Sequence, residues 1–93
     1  MAGRYVCVEL LGSGTYARVF LALDRKHQAR AAVKVIRNHP AFHAAAKKEI
    51  SLLRDLNGGA FTPKLLRHFD HDGHICLAFN WLGQDLAAVL GSR

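Results

Sequence analysis

Residues 5–11, YVCVELL, alternate in character. Val6, Val8 and Leu10 share one side of an extended strand, in which successive side chains point to opposite faces. The glycine-rich stretch GSGTYAR (12–18) follows, and VFLALD (19–24) reads as the return strand of a hairpin across it. After the polar, turn-like RKHQ (25–28), ARAAVKVI (29–36) reads as a third strand. Asn38 and Pro40 then mark a helix start. Asn can cap with its side chain, and a first helical turn does not need the N–H that Pro lacks. The helix is expected to run to about Leu56, where Asn57-Gly58-Gly59 stops it. Phe42, Ala46, Glu49, Leu53 and Leu56 form one stripe at helical spacing, widened by Ile50 and Leu52.

KLLRHFD (64–70) and HICLAFN (74–80) read as a second hairpin, with His71-Asp72-Gly73 as its tight turn. A further helix is expected from Gln84 or Asp85 through Leu90. Three strands, a helix, two strands and the beginning of a helix predict an α+β fold. Its sheet is five-stranded and mostly antiparallel, with one long helix packed on it.

Length and composition narrow the function classes without choosing one. The 93 residues suffice for one small domain, and 51% of them are hydrophobic, enough for a packed core. The net charge of +6 suits anionic ligands such as nucleotides, nucleic acids or acidic proteins. No apolar run approaches the roughly 20 residues of a membrane span, and the N-terminus lacks the apolar stretch of a secretory signal. Cys7 and Cys76 fall inside predicted strands, so both are expected to be buried free thiols of a reducing compartment. An intracellular protein, nuclear or cytoplasmic, is expected, with no membrane partner.

Three features carry candidate chemistry. The first is Gly12-Ser13-Gly14-Thr15-Tyr16-Ala17, followed by Val19. Glycines let backbone N–H groups approach phosphates closely. The pattern alone also fits a dinucleotide-binding turn, but such a turn opens a helix, whereas VFLALD is strand-like. An ordinary glycine hairpin is the plainer reading of this motif taken alone. The second is Lys34 in Ala31-Ala32-Val33-Lys34, where Ala32, Lys34 and Ile36 share a face. A charge there must be paired or reach water, and the small Ala32 leaves room for a flat ring. The third is Glu49, on the inward stripe between Ala46 and Leu53. A carboxylate there needs a cation, and Lys34 is the natural candidate, with Lys48 or Arg54 as edge alternatives. A strand lysine paired with a helix glutamate beside a glycine flap is an arrangement that positions ATP phosphates. Phe79-Asn80-Trp81-Leu82-Gly83 ends a strand, where free backbone groups could bond an adenine edge.

Other chemistries find less support. His68, His71 and His74 are spaced by three and His39 and His43 by four, but no zinc-like cysteine spacing accompanies them, so no metal site is expected. The basic residues are scattered and no basic-aromatic repeat occurs. Phe20, Phe42, Phe61, Phe69 and Phe79 read as core, so a specific nucleic-acid partner is not expected.

Taken in order, LLGSGTYARV, AAVKVI, the helix with Glu49 and FNWLGQDL resemble the small lobe of eukaryotic protein kinases, from Tyr5 to Leu90. VKVIRNHPAFHAAAKKEISLL and FNWLGQDLAAVL are similar to the cyclin-dependent-kinase-like (CMGC) superfamily. Within it they are most like the dual-specificity tyrosine-regulated, homeodomain-interacting and CDC-like kinases.

The resemblance implies a kinase N-terminal lobe over residues 5–90 with the large lobe absent, ATP with Mg2+ as cofactor, and protein hydroxyls as substrate in the full-length form. It implies that Leu11 and Val19 pack on the adenine and Ala32 roofs it. Gly12, Ser13, Gly14 and Ala17 belong to the flap over the phosphates, and Thr15 and Tyr16 sit at its tip, where related kinases carry inhibitory phosphorylation sites. It further implies that Lys34, oriented by Glu49, holds the phosphates, and that Phe79 is the gatekeeper. The backbones of Asn80 and Leu82 would form the hinge, with Asp85 meeting the ribose. The sequence departs from the pattern in Ala17, where a third glycine is usual, and in Asn80, where this group usually has Glu. It contains no H-R-D-x-x-x-x-N and no D-F-G, so the base and the metal-binding residues are expected to be missing and the segment inactive by itself. The alternative is a catalytically inactive fragment that binds nucleotide or another protein.

Overall fold

A computed structural model of the chain describes residues 3–56 and 64–81. The expected elements are present: β1 (Tyr5–Ser13), β2 (Ala17–Asp24), β3 (Ala29–Ile36), α1 (Pro40–Leu56), β4 (Leu65–His71) and β5 (His74–Asn80). The strands form one antiparallel sheet in the order β1-β2-β3-β5-β4. The helix that sequence places after residue 83 lies outside the described residues.

Local chemistry closes each connection. In the β4–β5 turn, Asp72 and Gly73 both take positive φ, 50° and 82°, which suits the right-handed twist of the strands on either side. Gly73 also packs closely: an added Cβ would sit 3.0 Å from the Asn38 side chain. Asp24 organises the β2–β3 turn by accepting the Lys26 N–H at 3.0 Å and meeting His27 Nδ1 at 2.9 Å. At the start of α1 the capping group is His39, whose Nδ1 accepts the Ala41 N–H at 3.2 Å. Asn38, the expected cap, instead packs beneath the turn at Gly73. Pro40 is the first helical residue, as expected.

The sheet buries both faces. Val19, Ala32, Ile36, Leu77 and Phe79 meet Ala46 and Ile50 of α1 on the inner face. Tyr5, Ala22, Ala31, Val33, Cys76 and Ala78 form a second cluster on the outer face. β3 and β5 are therefore covered on both sides and read as nearly continuous apolar runs. Full burial of a side chain such as Phe79 contributes roughly 1.5–3 kcal/mol. Two expectations are corrected. Leu52 is 53% exposed, because the inward arc of α1 is set by Ala46, Glu49 and Ile50 and residue 52 lies off it. Cys7 is exposed, because β1 is an edge strand with little beyond it; only Cys76 is buried.

Candidate functional site

The inner face of the sheet is set by strand register. Val19 of β2 lies opposite Lys34 of β3, Ala32 opposite Phe79 of β5, and Lys34 opposite Leu77. Partners in register share a face, so Val19, Ala32, Lys34 and Phe79 project together toward α1. Glu49 reaches them from the helix, one turn beyond Ala46.

Lys34 Nζ donates to Glu49 Oε2 at 3.0 Å, and both side chains are buried, at 2% and 9% exposure. The lysine does not run out to water, and Glu49 does not swing to the edge. Two opposite charges enclosed at that distance hold each other, because breaking the pair would leave an uncompensated charge in a poorly solvated place. The Tyr16 hydroxyl donates to the other carboxylate oxygen, Oε1, at 3.1 Å. Its ring lies over the lysine, with Nζ 5.0 Å from the centroid. Tyr16 also meets Phe42 of α1 edge to face, with centroids 5.5 Å apart.

The flap between β1 and β2 is a tight hairpin in which the Gly14 N–H donates to the Ala17 carbonyl at 2.9 Å. Arg37, just past β3, fastens it. Its backbone N–H donates to the Tyr16 carbonyl at 2.9 Å, its Nε to the Gly14 carbonyl at 2.9 Å, and its Nη2 to Ser13 Oγ at 3.3 Å. Thr15 is exposed at the tip. Gly12 faces open space: an added Cβ would meet nothing within 4 Å.

The structure thus brings Leu11, Tyr16, Ala17, Val19, Ala32, Lys34, Glu49 and Phe79 to one cluster under the flap. Ser13 turns outward to Arg37. At the strand end Asn80 uses both of its sides. Its N–H donates to the Lys64 carbonyl at 3.2 Å, and its Oδ1 accepts the Lys64 N–H at 2.7 Å, tying the start of β4 to the end of β5. Trp81 packs against the inner core. Leu82 and Asp85 lie outside the described residues.

No protein-family model matches the chain. It is 34% identical over 92 residues to the serine/threonine-protein kinase prp4 of Schizosaccharomyces pombe, covering 94% of this chain and 19% of that protein. It is 40% identical over 90 residues to the dual specificity protein kinase KNS1 of Saccharomyces cerevisiae, covering 90% of this chain and 12% of that protein. With the dual specificity protein kinase CLK1 of Homo sapiens it shares 36% over 89 residues, 89% of this chain and 18% of that protein. A crystal structure of a kinase domain superposes with a TM-score of 0.80 and 28% identity, over 87% of this chain and 25% of that chain. This is a protein-kinase small lobe of the CMGC type. It spans less than a fifth of the length of these relatives.

The small lobe carries a second polar cluster at the far end of the sheet. Arg4 Nε and Nη2 donate to the two Asp24 carboxylate oxygens, both at 2.8 Å, and His27 joins them. The hydrogen bonds from Arg4, more than those from His27 and the Lys26 N–H, hold the Asp24 carboxyl well below the usual carboxylate range. A cleft of about 650 Å³ borders this cluster, lined in part by Arg67, Asn80 and Trp81. Its one carboxylate is already committed to Arg4 and His27. Burial pushes the Cys76 thiol up to about 11, which keeps it protonated. Among the described residues no three His, Cys, Asp or Glu side chains are grouped as a metal would need.

Two residues of the small lobe's site were not legible in the sequence. Arg37 reads as one basic residue among many. Only the β2–β3 register, which pairs Ala17 with Ile36, shows that the next residue must lie beside the flap. Asn80 reads as a backbone position, and its side-chain role depends on the approach of Lys64.

Proposed function

We propose that this small lobe binds ATP and orients its phosphates for transfer to Ser or Thr hydroxyls of proteins, without itself carrying out the transfer step. The observation that carries this reading is the buried Lys34–Glu49 pair beneath a glycine flap. Glu49 fixes the ammonium in place, and the ammonium can accept a polyphosphate as a second anionic partner. Gly12 leaves room for a phosphate to approach the backbone. Ala32, with no side chain beyond Cβ, would roof the adenine together with Leu11 and Val19, and Phe79 would close its back. The backbones of Asn80 and Leu82 would bond the adenine edge, and Asp85 the ribose.

ATP fits this residue set. Mg2+ finds no protein ligand group among the described residues, so the phosphates and residues outside them would hold it. Bound there, it would neutralise charge developing on the phosphates. The 93 residues contain no H-R-D or D-F-G, so the base would also come from outside them. In this reading residues 5–90 are the nucleotide-binding lobe of a kinase domain, and by itself the lobe binds without turnover.

Titration with ATP tests it, with Trp81, the chain's single tryptophan, as the fluorescent reporter. Saturable binding that weakens at least tenfold in Lys34→Ala, about the value of one charge-assisted contact, supports the reading. Equal binding by wild type and Lys34→Ala overturns it.

A further inference from the structure

The geometry points to Tyr16 as a stopper in the phosphate half of the nucleotide site, latched by Arg37, so that this one side chain sets the preference of the site between adenosine and ATP. The inference rests on the nucleotide-binding reading above and adds to it a residue that works against the ligand.

Lys34 is enclosed, with its side chain 2% exposed. A phosphate oxygen bonded to Nζ must lie within roughly 3 Å of it. The ammonium instead has Glu49 Oε2 at 3.0 Å and the ring of Tyr16 at 5.0 Å. Something must move before a phosphate can reach it. Glu49 is anchored on α1 and is the group that orients the lysine. Tyr16 is carried by the flap, the element under which the phosphates would lie.

Several contacts hold Tyr16 down. The phenol donates to Glu49 Oε1 at 3.1 Å, and the ring meets Phe42 at 83° between planes. The backbone on either side is pinned from one place: Arg37 takes the Tyr16 carbonyl with its N–H, and the Gly14 carbonyl and Ser13 Oγ with its guanidinium. Moving the ring out therefore means releasing a bond to a charged carboxylate and loosening a flap that Arg37 ties to the end of β3. Adenosine has no phosphate and makes no demand on Lys34. Its ring would lie against Ala32, opposite Phe79 and two residues along β3 from Lys34. The stopper therefore separates the two ligands. ATP must expel Tyr16, and adenosine need not.

A closed state favoured about tenfold over the open one weakens apparent ATP affinity by about the same factor. The test measures ATP and adenosine dissociation constants by calorimetry for the 93-residue chain and for Tyr16→Ala, Tyr16→Phe and Arg37→Ala. Tyr16→Ala is expected to bind ATP roughly tenfold tighter and adenosine within about twofold of wild type. Tyr16→Phe keeps the ring and loses the bond to Glu49, and Arg37→Ala loses the latch; both are expected to fall between.

A spectroscopic arm removes any dependence on variant folding. The chain has two tyrosines, so 3-fluorotyrosine labelling gives two ¹⁹F signals, with the buried Tyr5 as an internal reference. ATP is expected to move the Tyr16 signal and adenosine to leave it. Binding of ATP with no movement of that signal, or ATP affinities equal across the variants, overturns the stopper while leaving the nucleotide site standing. Failure of both ligands to bind wild type and Tyr16→Ala alike removes the nucleotide reading, and the stopper falls with it.

Discussion

Tyr5 lies flat against Phe69, ring centroids 5.5 Å apart and planes within 5°, although one residue belongs to β1 and the other to β4, at opposite edges of the sheet. The contact exists because the sheet is curled enough to bring its two edges over a common outer core. Arg67 sits above both rings, at 5.9 Å and 5.2 Å from their centroids, and Arg4 lies 5.2 Å from the Tyr5 ring. An aromatic pair capped by guanidinium groups thus closes the outer face, which no helix among the described residues covers.

That closure predicts a coupled loss of stability. Tyr5→Leu and Phe69→Leu should each lower the urea midpoint. Their double-mutant cycle should return a coupling of roughly 0.5–1.5 kcal/mol, the worth of an aromatic pair beyond its buried area. Strict additivity would mean that the stack does not form in solution.

Acid should act through Asp24. Its carboxyl is held below its ordinary value, chiefly by the hydrogen bonds from Arg4. A depressed folded-state pKa adds stability that is fully present above the unfolded value, near 4, and is lost as pH falls through the folded value. The thermal midpoint should therefore hold from pH 7 to about 5 and fall below about pH 4. Asp24→Asn should start lower at pH 7 and fall less steeply over that acid window. An unchanged acid slope in the variant would show that another carboxylate governs it.

The pair beneath the flap should show the asymmetry of buried ions. Lys34→Met and Glu49→Leu each leave one partner buried, and each should cost about 3–5 kcal/mol. The double substitution should recover much of that loss, because it buries no charge. Chemical denaturation of the four species measures it, and a double variant as weak as the sum of its singles would show that the two charges are uncoupled.

Much of this molecule was legible from residue order alone, for reasons that individual positions make clear. The tight turn at Asp72-Gly73 between two apolar segments places β4 and β5, and the stripe through Ala46 and Glu49 places the inward side of α1. Lys34 could be matched with Glu49 because each is a charge on an apolar face, and buried charges seek partners. The orientation of Tyr16 was not legible, since a glycine flap permits its tip residue to turn either way. Nor was the exposure of Cys7: an apolar alternation does not say whether a strand is central or at an edge. Cap choice escaped as well. Asn38 has the better intrinsic propensity, yet the approach of Gly73 commits its side chain elsewhere and leaves the role to His39.

The irregular register of β1 has a consequence for how the lobe behaves in company. Val6, Val8 and Leu10 stand exposed along this outermost strand, the composition and position from which cross-strand aggregation starts. The register slips between Cys7 and Glu9 and again between Leu10 and Gly12. Each slip bends the strand and breaks the even row of N–H and C=O groups that a second chain would need as a template. The kinks in β1 act as a guard against fibril growth, and straightening them would turn the sticky edge of this lobe into a nucleus.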